Sequence, residues 1–239
     1  MISYINSRTN QKVVDAAKLK NKNAIKENGL FLVEGIKSLT LAIKSGLVKE
    51  VFTLKPLEID ESIPQYIVSE MIIDKISSNQ NPEGVIGVCH ILDNIAPNKM
   101  KKVVYLDNIQ DPGNMGTIIR TALAFNYDAI ICSNDCVSIY NPKVVSASKG
   151  AIFLIPIIYG ELKDYKKDHV VIASTLNSQS IELNQLEKPE SFILVLGNEA
   201  HGISKEVIYN SDVFVKIDID NIDSLNVAIA GAILMHYLK

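Results

Sequence analysis

The chain has too few cysteines and histidines for the sites that these residues usually build. Its three cysteines, Cys89, Cys132 and Cys136, have neither the number nor the spacing of a zinc cage or a disulfide framework. The four histidines include no pair at helical i, i+4 spacing, so a metal site finds no support. We therefore predict reduced cysteines that serve in packing, and no metal.

Long apolar runs are also missing. No run approaches the about 18 residues that a membrane-spanning helix needs, and the start, MISYINSRTNQK, lacks the apolar centre of a signal peptide. These absences predict a cytoplasmic protein that does not bind a membrane. With 47% hydrophobic residues over 239 positions, the chain can bury a substantial core in one or two domains.

A general excess of positive charge is the third absence. The net charge of −3 argues against a generically basic nucleic-acid binder. The distribution is more informative, because residues 1–49 carry nine basic residues against three acidic ones, a local balance of +6. A basic end on a mildly acidic body fits a footprint for phosphates, and a solvated helix face is the alternative explanation.

Strands and helices alternate along both parts of the chain. Up to residue 95 we predict a small α/β layer domain, with helices at 10–27, 36–44 and 70–77 and strands at 31–33, 51–54, 67–68 and 84–91. A polar segment with Pro97 predicts a linker at 96–102. Residues 103–239 then form the second domain. Its apolar runs predict a parallel sheet covered on both faces, with strands at 103–106, 129–132, 152–157, 170–174, 192–196 and 213–217.

One helix of the second domain breaks a local rule. The stretch 103–131 reads as strand, loop, helix and strand, with Asn114 as the predicted N-cap of a helix over 115–125. Arg120 then falls within the first two turns, where the helix macrodipole disfavours a cation. Violations of this kind often mark functional sites.

Two further stretches carry polar residues at positions suited to binding. The apolar strand 192–196 runs into GNEAHGIS, whose glycines allow backbone to approach a ligand and whose Glu199 would lie in the crevice at the carboxyl end of the sheet. Ser224 is the predicted N-cap of a last helix that carries Gly231 among small residues, a feature of close packing. An ordinary turn and a simple cap are the alternative explanations.

Together these stretches resemble the SpoU/TrmH-like branch of the SPOUT RNA methyltransferases. DPGNMGTIIRTA is similar to the first motif of that family, GNEAHGIS to the second and SLNVAIAGAILMH to the third, in the family's order. NPKVVSASKGAIFLIPI is similar to the segment between the first two motifs. The start, with SRTNQKV and FLVEGIKSL, is similar to the substrate-binding domain that often precedes them.

The resemblance implies an α/β fold whose carboxyl-terminal SPOUT domain contains a deep trefoil knot, and a homodimer. It implies transfer of a methyl group from S-adenosylmethionine to a ribose 2′-hydroxyl of a structured RNA, with rRNA favoured over tRNA. The implied catalytic residues are Asn114, Arg120, Glu199, Ser224 and Asn226. The residues implied to lie along the cofactor are Thr175, Leu176, Leu196, Gly197, Gly202, Ile217 and Leu225.

The chemistry of such a site asks little of the protein. A sulfonium methyl is already activated, so the enzyme must chiefly hold the hydroxyl oxygen in line and manage one proton. A guanidinium with a pKa above about 12 does not readily give up its proton. We therefore expect Arg120 to hold the ribose or a phosphate and to stabilise the developing alkoxide, which leaves the proton acceptor open.

The chain departs from the family pattern at two places. Ile217 is followed by DIDNID, where relatives usually have a Pro and a Gly in a loop one residue longer, and Ser146 stands where many relatives have Arg. One alternative is a non-catalytic RNA-binding protein that retains the fold, which would bind no cofactor in calorimetry. A Rossmann oxidoreductase is disfavoured, because DPGNMG lacks the G-x-G-x-x-G spacing.

Overall fold

The computed structural model describes residues 1–93, 96–97 and 99–239, which form two compact units. The first holds residues 1–93 and 138–153; the second holds the described residues of 94–137 together with 154–239. Residues 94 and 95 of the predicted first domain and residue 98 of the predicted linker lie outside the described residues. The domain boundaries drawn from the sequence stay a prediction.

Up to residue 93 the chain forms five strands and four helices: β1 (Ile2–Ile5), α1 (Gln11–Lys18), α2 (Lys22–Asn28), β2 (Leu30–Glu34), α3 (Ile36–Lys44), β3 (Val48–Thr53), β4 (Gln65–Val68), α4 (Glu70–Ile76) and β5 (Val85–His90). From residue 99 on it forms β6 (Lys102–Leu106), α5 (Pro112–Ala124), β7 (Ala129–Cys132), α6 (Pro142–Ser148), β8 (Ile157–Tyr159), β9 (Val170–Ser174), β10 (Ile181–Glu182), β11 (Phe192–Leu196), α7 (Lys205–Tyr209), β12 (Val213–Lys216) and α8 (Val227–Leu238). Short 3₁₀ helices lie at Ala151–Phe153, Leu162–Asp164, Lys166–Asp168 and Leu183–Gln185.

The first unit is built on a mixed sheet with the order β1-β4-β3-β5-β2. Strands β1, β4 and β3 are parallel, and β5 runs antiparallel to both β3 and β2. The side chains of Phe31 and Phe52 are fully buried on this sheet. The single helix predicted at 10–27 is wrong, because Asn21 accepts a hydrogen bond from the Asn23 amide and starts α2 as a separate helix.

The second unit is built on a seven-stranded parallel sheet with the order β10-β12-β9-β11-β6-β7-β8. All described pairs in it are parallel, as predicted from its apolar strands. The chain leaves β6 in one direction to β7 and β8, and then places β9, β11 and β12 on the other side. The strand order therefore reverses beside β6, and ligands of parallel α/β sheets bind at the carboxyl ends of strands near such a point.

The predicted strand at 152–157 is wrong. Residues Ala151–Phe153 form a 3₁₀ helix, and the strand is Ile157–Tyr159. Lys149 and Gly150 both have left-handed φ values, of 51° and 88°, so the chain turns sharply after α6 instead of extending. Pro156 has no amide hydrogen for a sheet ladder, which places the start of the strand after it.

Both helix starts predicted in the second domain are also wrong. α5 begins at Pro112, and its N-cap is Asp111, which accepts from the Asn114 amide at 2.8 Å. Proline is favoured at the first helical position because its missing N–H is not needed there. Arg120 is consequently in the third turn, beyond the strongest effect of the macrodipole. α8 is capped by Asn226 and not by Ser224.

Two further observations concern packing and length. All three cysteines are free and buried, which confirms their predicted role in packing. In the described part of the chain, no helix combines the length and apolar character needed to cross a membrane.

Candidate active site

Helices α5 and α8 lie side by side and point in the same direction. At their amino-terminal ends, the Asn226 side chain donates through Nδ2 to Oδ1 of Asn114 at 2.9 Å. At their carboxyl-terminal ends, the rings of Phe125 and His236 are 5.4 Å apart. The two positive ends of the helix macrodipoles therefore meet at one place, which is favourable for an anionic group.

The carboxylate of Glu199 is the anionic group at that place. Its Oε1 accepts from Asn114 Nδ2 at 2.9 Å, and its two oxygens accept longer bonds, of 3.4 Å, from the amides of Gln110 and Asp111. Asn226 in turn holds the amides of Ala228 and Ile229 as the cap of α8. The hydrogen-bonded chain Glu199–Asn114–Asn226 thus joins one residue from each of the three motifs.

The turn that carries Glu199 is formed by backbone and by one asparagine. The amides and carbonyls of Asn198 and Gly202 exchange two hydrogen bonds of 2.9 Å, and Asn198 Oδ1 accepts from the amides of Ala200 and His201. A Cβ at Gly197 would lie 2.6 Å from backbone atoms of Gly202 and Ile203. The close approach of these backbone segments requires glycine at position 197.

The loop that leads into α5 is clamped by residues that sequence reasoning missed. Asn108 has a left-handed φ of 56°, which asparagine tolerates. Its carbonyl accepts from Asn198 Nδ2 at 2.7 Å, and its amide donates to Ser133 Oγ at 2.9 Å. The buried Asp107 accepts from the Ser204 amide at 2.6 Å. An Asp-Asn pair directly after a buried strand was the available signal for this loop.

A cavity of about 550 Å³ opens beside this turn at the carboxyl ends of β9, β11 and β12. It contains all seven residues predicted to lie along the cofactor, together with Glu199, Ser224 and Asn226. The lining residues are Ser174, Thr175, Leu176, Leu196, Gly197, Asn198, Glu199, Ala200, Gly202, Val215, Lys216, Ile217, Ile219, Ser224, Leu225, Asn226, Val227 and Ala230.

Comparison with known families agrees with this geometry. Residues 101–236 match the SpoU rRNA Methylase family, and residues 10–87 match the MRM3-like substrate binding domain. The chain belongs to the SpoU rRNA methylase family. The resemblance drawn from the three motifs is therefore confirmed, and with it the class of enzyme and a first part that matches a substrate-binding domain.

Named relatives match this chain over its whole length or over part of it. The 23S rRNA (guanosine(2553)-2′-O)-methyltransferase RlmP of Bacillus subtilis is 32% identical over 248 residues, which cover 100% of each chain. A putative TrmH-family tRNA/rRNA methyltransferase of Staphylococcus aureus is 31% identical and covers 57% of this chain and 58% of its own. The structure of an AdoMet-bound rRNA methyltransferase from Sinorhizobium meliloti superimposes with a TM-score of 0.90 at 27% identity, covering 99% and 97% of the two chains. These likenesses support S-adenosylmethionine as the cofactor.

The charge distribution of the cavity suits S-adenosylmethionine. Among the lining residues, only Glu199 and Lys216 are ionisable. Lys216 is held by Glu182 at 2.8 Å, and this hydrogen bond raises the pKa of Lys216. Mostly uncharged walls with leucine and isoleucine side chains fit an adenosine, and a single carboxylate fits a sulfonium.

The loop that departs from the SpoU pattern keeps its acidic groups out of the cavity. Ile217 and Ile219 line the cavity, whereas Asp218 and Asp220 between and after them are exposed. Asn221 then takes a left-handed φ of 64°, a conformation that asparagine adopts more readily than most residues. The alternation of apolar and acidic residues therefore leaves an apolar wall at this end of the site.

Arg120 is the one predicted catalytic residue that the structure does not bring to the cavity or to the chain Glu199–Asn114–Asn226. It is exposed on α5, lies outside the lining residues, and makes no hydrogen bond or ion pair within the described chain. It follows Asn114 by six residues, which turns its side chain by about 120° and moves it ~9 Å along the helix. The side chains of Asn114 and Arg120 thus leave α5 in different directions.

A metal ion has no candidate site in the described residues. No group of three or more histidine, cysteine, aspartate or glutamate side chains there could hold one.

Proposed function

We propose that this protein transfers a methyl group from S-adenosylmethionine to the ribose 2′-hydroxyl of a nucleotide in 23S rRNA. The observation that carries the proposal is the cavity itself, which holds all seven predicted cofactor residues and borders the chain Glu199–Asn114–Asn226. The name of the Bacillus subtilis relative supports 23S rRNA as the substrate class.

The cofactor supplies a methyl group that is already activated on a sulfonium. Leu176, Leu196, Ile217 and Leu225 would enclose the adenosine, and Thr175, Gly197 and Gly202 would present backbone groups to it. Glu199 would stabilise the positive charge of the sulfonium, and it fixes Asn114 through the 2.9 Å hydrogen bond. Because Glu199, Asn114 and Asn226 hold one another before the RNA arrives, this part of the site is preorganised for one orientation of the ribose.

Asn114, Ser224 and Asn226 form the part of the site that orients the ribose. Ser224 is free of a capping role and is exposed at the rim of the cavity, so its hydroxyl can bond the ribose. Asn226 and Asn114 fix each other through their amides. A guanidinium would then stabilise the developing alkoxide while the 2′-hydroxyl gives its proton to solvent water at the exposed rim of the cavity.

Arg120 of the partner subunit in a homodimer supplies this guanidinium in our proposal. Arg120 is exposed on α5, and the neighbouring helix α8 exposes Ile229 and Ile233, by 53% and 39%. Isoleucines four residues apart form an apolar ridge on one helix face, which a second copy can bury. In our proposal, α5 presents its exposed Arg120 to that copy, where the guanidinium would complete the cavity.

Mixing two inactive variants tests this arrangement directly. Arg120→Ala and Glu199→Gln are each expected to be inactive. If the arginine acts across the dimer, mixed dimers of the two contain one intact site, and random mixing restores about a quarter of the wild-type activity. No restoration after subunit exchange, or a monomer in light scattering at micromolar concentration, would refute the shared site.

Three further features belong to the same proposal. The carboxyl-terminal domain contains the deep trefoil knot of SPOUT proteins, which the match of residues 101–236 to the SpoU rRNA Methylase family supports. Residues 1–95 form the substrate-binding domain, supported by the family match over 10–87. The protein acts in the cytoplasm, where its proposed substrate is found.

Mapping of ribose methylation tests the proposed activity. Unmodified 23S rRNA and tRNA transcripts are incubated with the protein and labelled S-adenosylmethionine, and 2′-O-methylated positions are located by their resistance to alkaline cleavage. We expect one strong site in 23S rRNA and none in tRNA. Cofactor binding in calorimetry without methylation of either RNA would overturn the proposal, and absence of cofactor binding would favour a non-catalytic RNA-binding protein.

A further inference from the structure

Two lysines of the first unit meet at the end of helix α4, next to the turn that carries Arg8. The Lys20 ammonium donates to the carbonyls of Lys75 and Ser77, at 2.8 and 3.3 Å. The Lys75 ammonium donates to the carbonyl of Arg8 at 2.7 Å. These bonds tie the turn of residues 7–10 to the carboxyl end of α4, where cations are favoured by the macrodipole.

One carboxylate holds the adjacent loop. Glu34, the last residue of β2, accepts hydrogen bonds from Ser77 Oγ, from the Ser78 amide at 2.8 Å and from Asn79 Nδ2 at 3.0 Å. Ser78, Asn79 and Gln80 are exposed, so this loop displays hydroxyl and amide groups from a fixed backbone. The segments SRTNQKV and FLVEGIKSL, which are far apart in the sequence, are thus joined through residues 75–79.

The charges at this place do not balance. Arg8, Lys20 and Lys75 form no ion pair with any carboxylate among the described residues, and Glu34 is the one carboxylate bonded within the cluster. Lys20 uses two of its three ammonium hydrogens and Lys75 uses one, so both retain free donors. The Arg8 guanidinium makes no hydrogen bond within the described chain and is exposed.

Two other cations of the basic amino-terminal region are paired. Lys12 bonds Glu50 at 3.1 Å, and Lys18 bonds Asp15 at 2.9 Å. The remaining lysines up to residue 49 are exposed and form no ion pair among the described residues. Lys20 and Lys75 differ from them because hydrogen bonds to backbone carbonyls fix their ammonium groups beside an exposed polar loop.

We propose that Arg8, Lys20, Lys75 and the loop 78–80 form the RNA-docking surface of the first unit. The cations bind backbone phosphates of the RNA, and the loop side chains contact riboses or base edges of an unpaired segment. This proposal rests on the RNA substrate proposed above and assigns the part of the chain that holds it. Glu34 acts as a positioning residue, because it fixes the loop without facing the RNA.

The test compares matched variants in binding to an unmodified 23S rRNA transcript across a salt series. Arg8→Ala removes the exposed guanidinium, and Gln80→Glu places a negative charge on the loop. Lys44→Ala is the matched control, because it removes an exposed cation from the last turn of α3. Lys44 lies ~12 Å along that helix from Ile36, which is two positions after Glu34. Thermal unfolding and calorimetry with S-adenosylmethionine establish that every variant is folded and binds cofactor.

We expect Arg8→Ala to weaken RNA binding by about three- to fivefold and to reduce the slope of log affinity against log salt by about 0.7 to 1. Gln80→Glu weakens binding to a similar extent, and Lys44→Ala changes neither quantity. Unchanged binding by both surface variants, or an equal loss in Lys44→Ala, would overturn the surface.

The outcome also separates this proposal from the proposed activity. A wild-type protein that binds the transcript through Arg8 but transfers no methyl group would refute the activity and retain the surface. A protein that methylates the transcript while Arg8→Ala and Gln80→Glu bind it normally would refute the surface alone.

Discussion

The polar network beside the cavity of the second unit and the one at the end of α4 in the first unit differ in their partners and in their exposure. In the second unit, the chain Glu199–Asn114–Asn226 joins side chains to side chains across two helix amino termini beside a cavity. In the first unit, Lys20 and Lys75 join side chains to backbone carbonyls at the exposed end of α4. One network fixes neighbouring groups relative to each other, and the other leaves cations available to solvent.

The difference follows from the two sheets. All strands of the second sheet are parallel, so their carboxyl ends deliver several loops to one edge and create a shared cavity. The first sheet is mixed, so the loops that follow its strands leave from both ends of the sheet. The shared cavity of the second unit suits a short-range chemical role. The exposed cations of the first unit suit a long-range electrostatic role.

The largest effect is expected for Arg120→Ala. If the arginine stabilises charge that develops only during the reaction, its removal lowers kcat by about 10²- to 10³-fold. The affinity for S-adenosylmethionine stays within about twofold, because a group that acts only on charge developing during the reaction adds little to binding of the cofactor. Single-turnover methyl transfer and calorimetry measure the two quantities.

Lys167→Ala is the matched control for Arg120→Ala. It removes an exposed cation from the same unit that is not among the cavity-lining residues. We expect its methyl transfer and cofactor affinity to equal those of the wild type. Normal turnover in Arg120→Ala would remove Arg120 from the reaction and break the contrast between a chemical and an electrostatic network.

Gly197→Ala is expected to have the next largest effect. The new Cβ would lie 2.6 Å from backbone atoms of Gly202 and Ile203, which cannot move aside without opening the turn that carries Glu199. Such overpacking typically costs about 1–3 kcal/mol of unfolding free energy. Because the same turn lines the cavity, the affinity for S-adenosylmethionine falls by about tenfold or more.

Gly231→Ala provides the comparison for Gly197→Ala. Its Cβ would meet the Cδ1 atom of Leu196 at 2.7 Å, the far end of a flexible side chain. Alanine also favours the helix by about 1 kcal/mol, which offsets the crowding. Urea unfolding should therefore show a change within about 1 kcal/mol. Equal losses in the two variants would show that the turn is more adaptable than its backbone contacts indicate.

The apolar strands predicted the parallel sheet, and the family resemblance named seven residues that line the cavity, but the local patterns misplaced both helix caps. Two motifs each offer two polar residues as the helix N-cap. These are Asp111 and Asn114 in the first motif, and Ser224 and Asn226 in the third. Local preference alone ranks them almost equally. The proline after Asp111 favours the first cap. The choice of Asn226 is supported by its bond to Asn114, 112 positions away, which no local pattern contains.

The network of Lys20 and Lys75 in the first unit was harder to predict for a related reason. The bonds from Lys20 and Lys75 go to backbone carbonyls, and every residue offers a carbonyl. The sequence therefore gives the excess of cations near the amino terminus but not the place where they meet. The apolar run at 152–157 was mistaken for a strand because a short apolar stretch has no period that separates the two possibilities.

Two substitutions of Asn226 separate its role as the cap of α8 from its hydrogen bond to Asn114. Their expected effects are smaller than those of Arg120→Ala and Gly197→Ala. Asn226→Ala removes the cap of α8 and the bond to Asn114, so we expect a loss of about 1 kcal/mol in unfolding free energy and about tenfold in kcat. Asn226→Asp keeps an acceptor for the cap but lacks the donor to Asn114. Its stability should match the wild type while kcat falls as in Asn226→Ala. Equal kcat for Asn226→Asp and the wild type would show that the link to Asn114 has no role in catalysis.

The smallest effect is expected for added salt on cofactor binding. The cavity contains one acidic and one basic lining residue, and Lys216 is already paired with Glu182. Raising the salt concentration from about 50 to about 200 mM should change the affinity for S-adenosylmethionine by less than about twofold, because short contacts inside a cavity are weakly screened. RNA binding should weaken by a much larger factor over the same range, since phosphates are neutralised at the surface. A steep salt dependence of cofactor binding would mean that long-range charge governs the cavity as well, and the physical distinction between the two networks would fail.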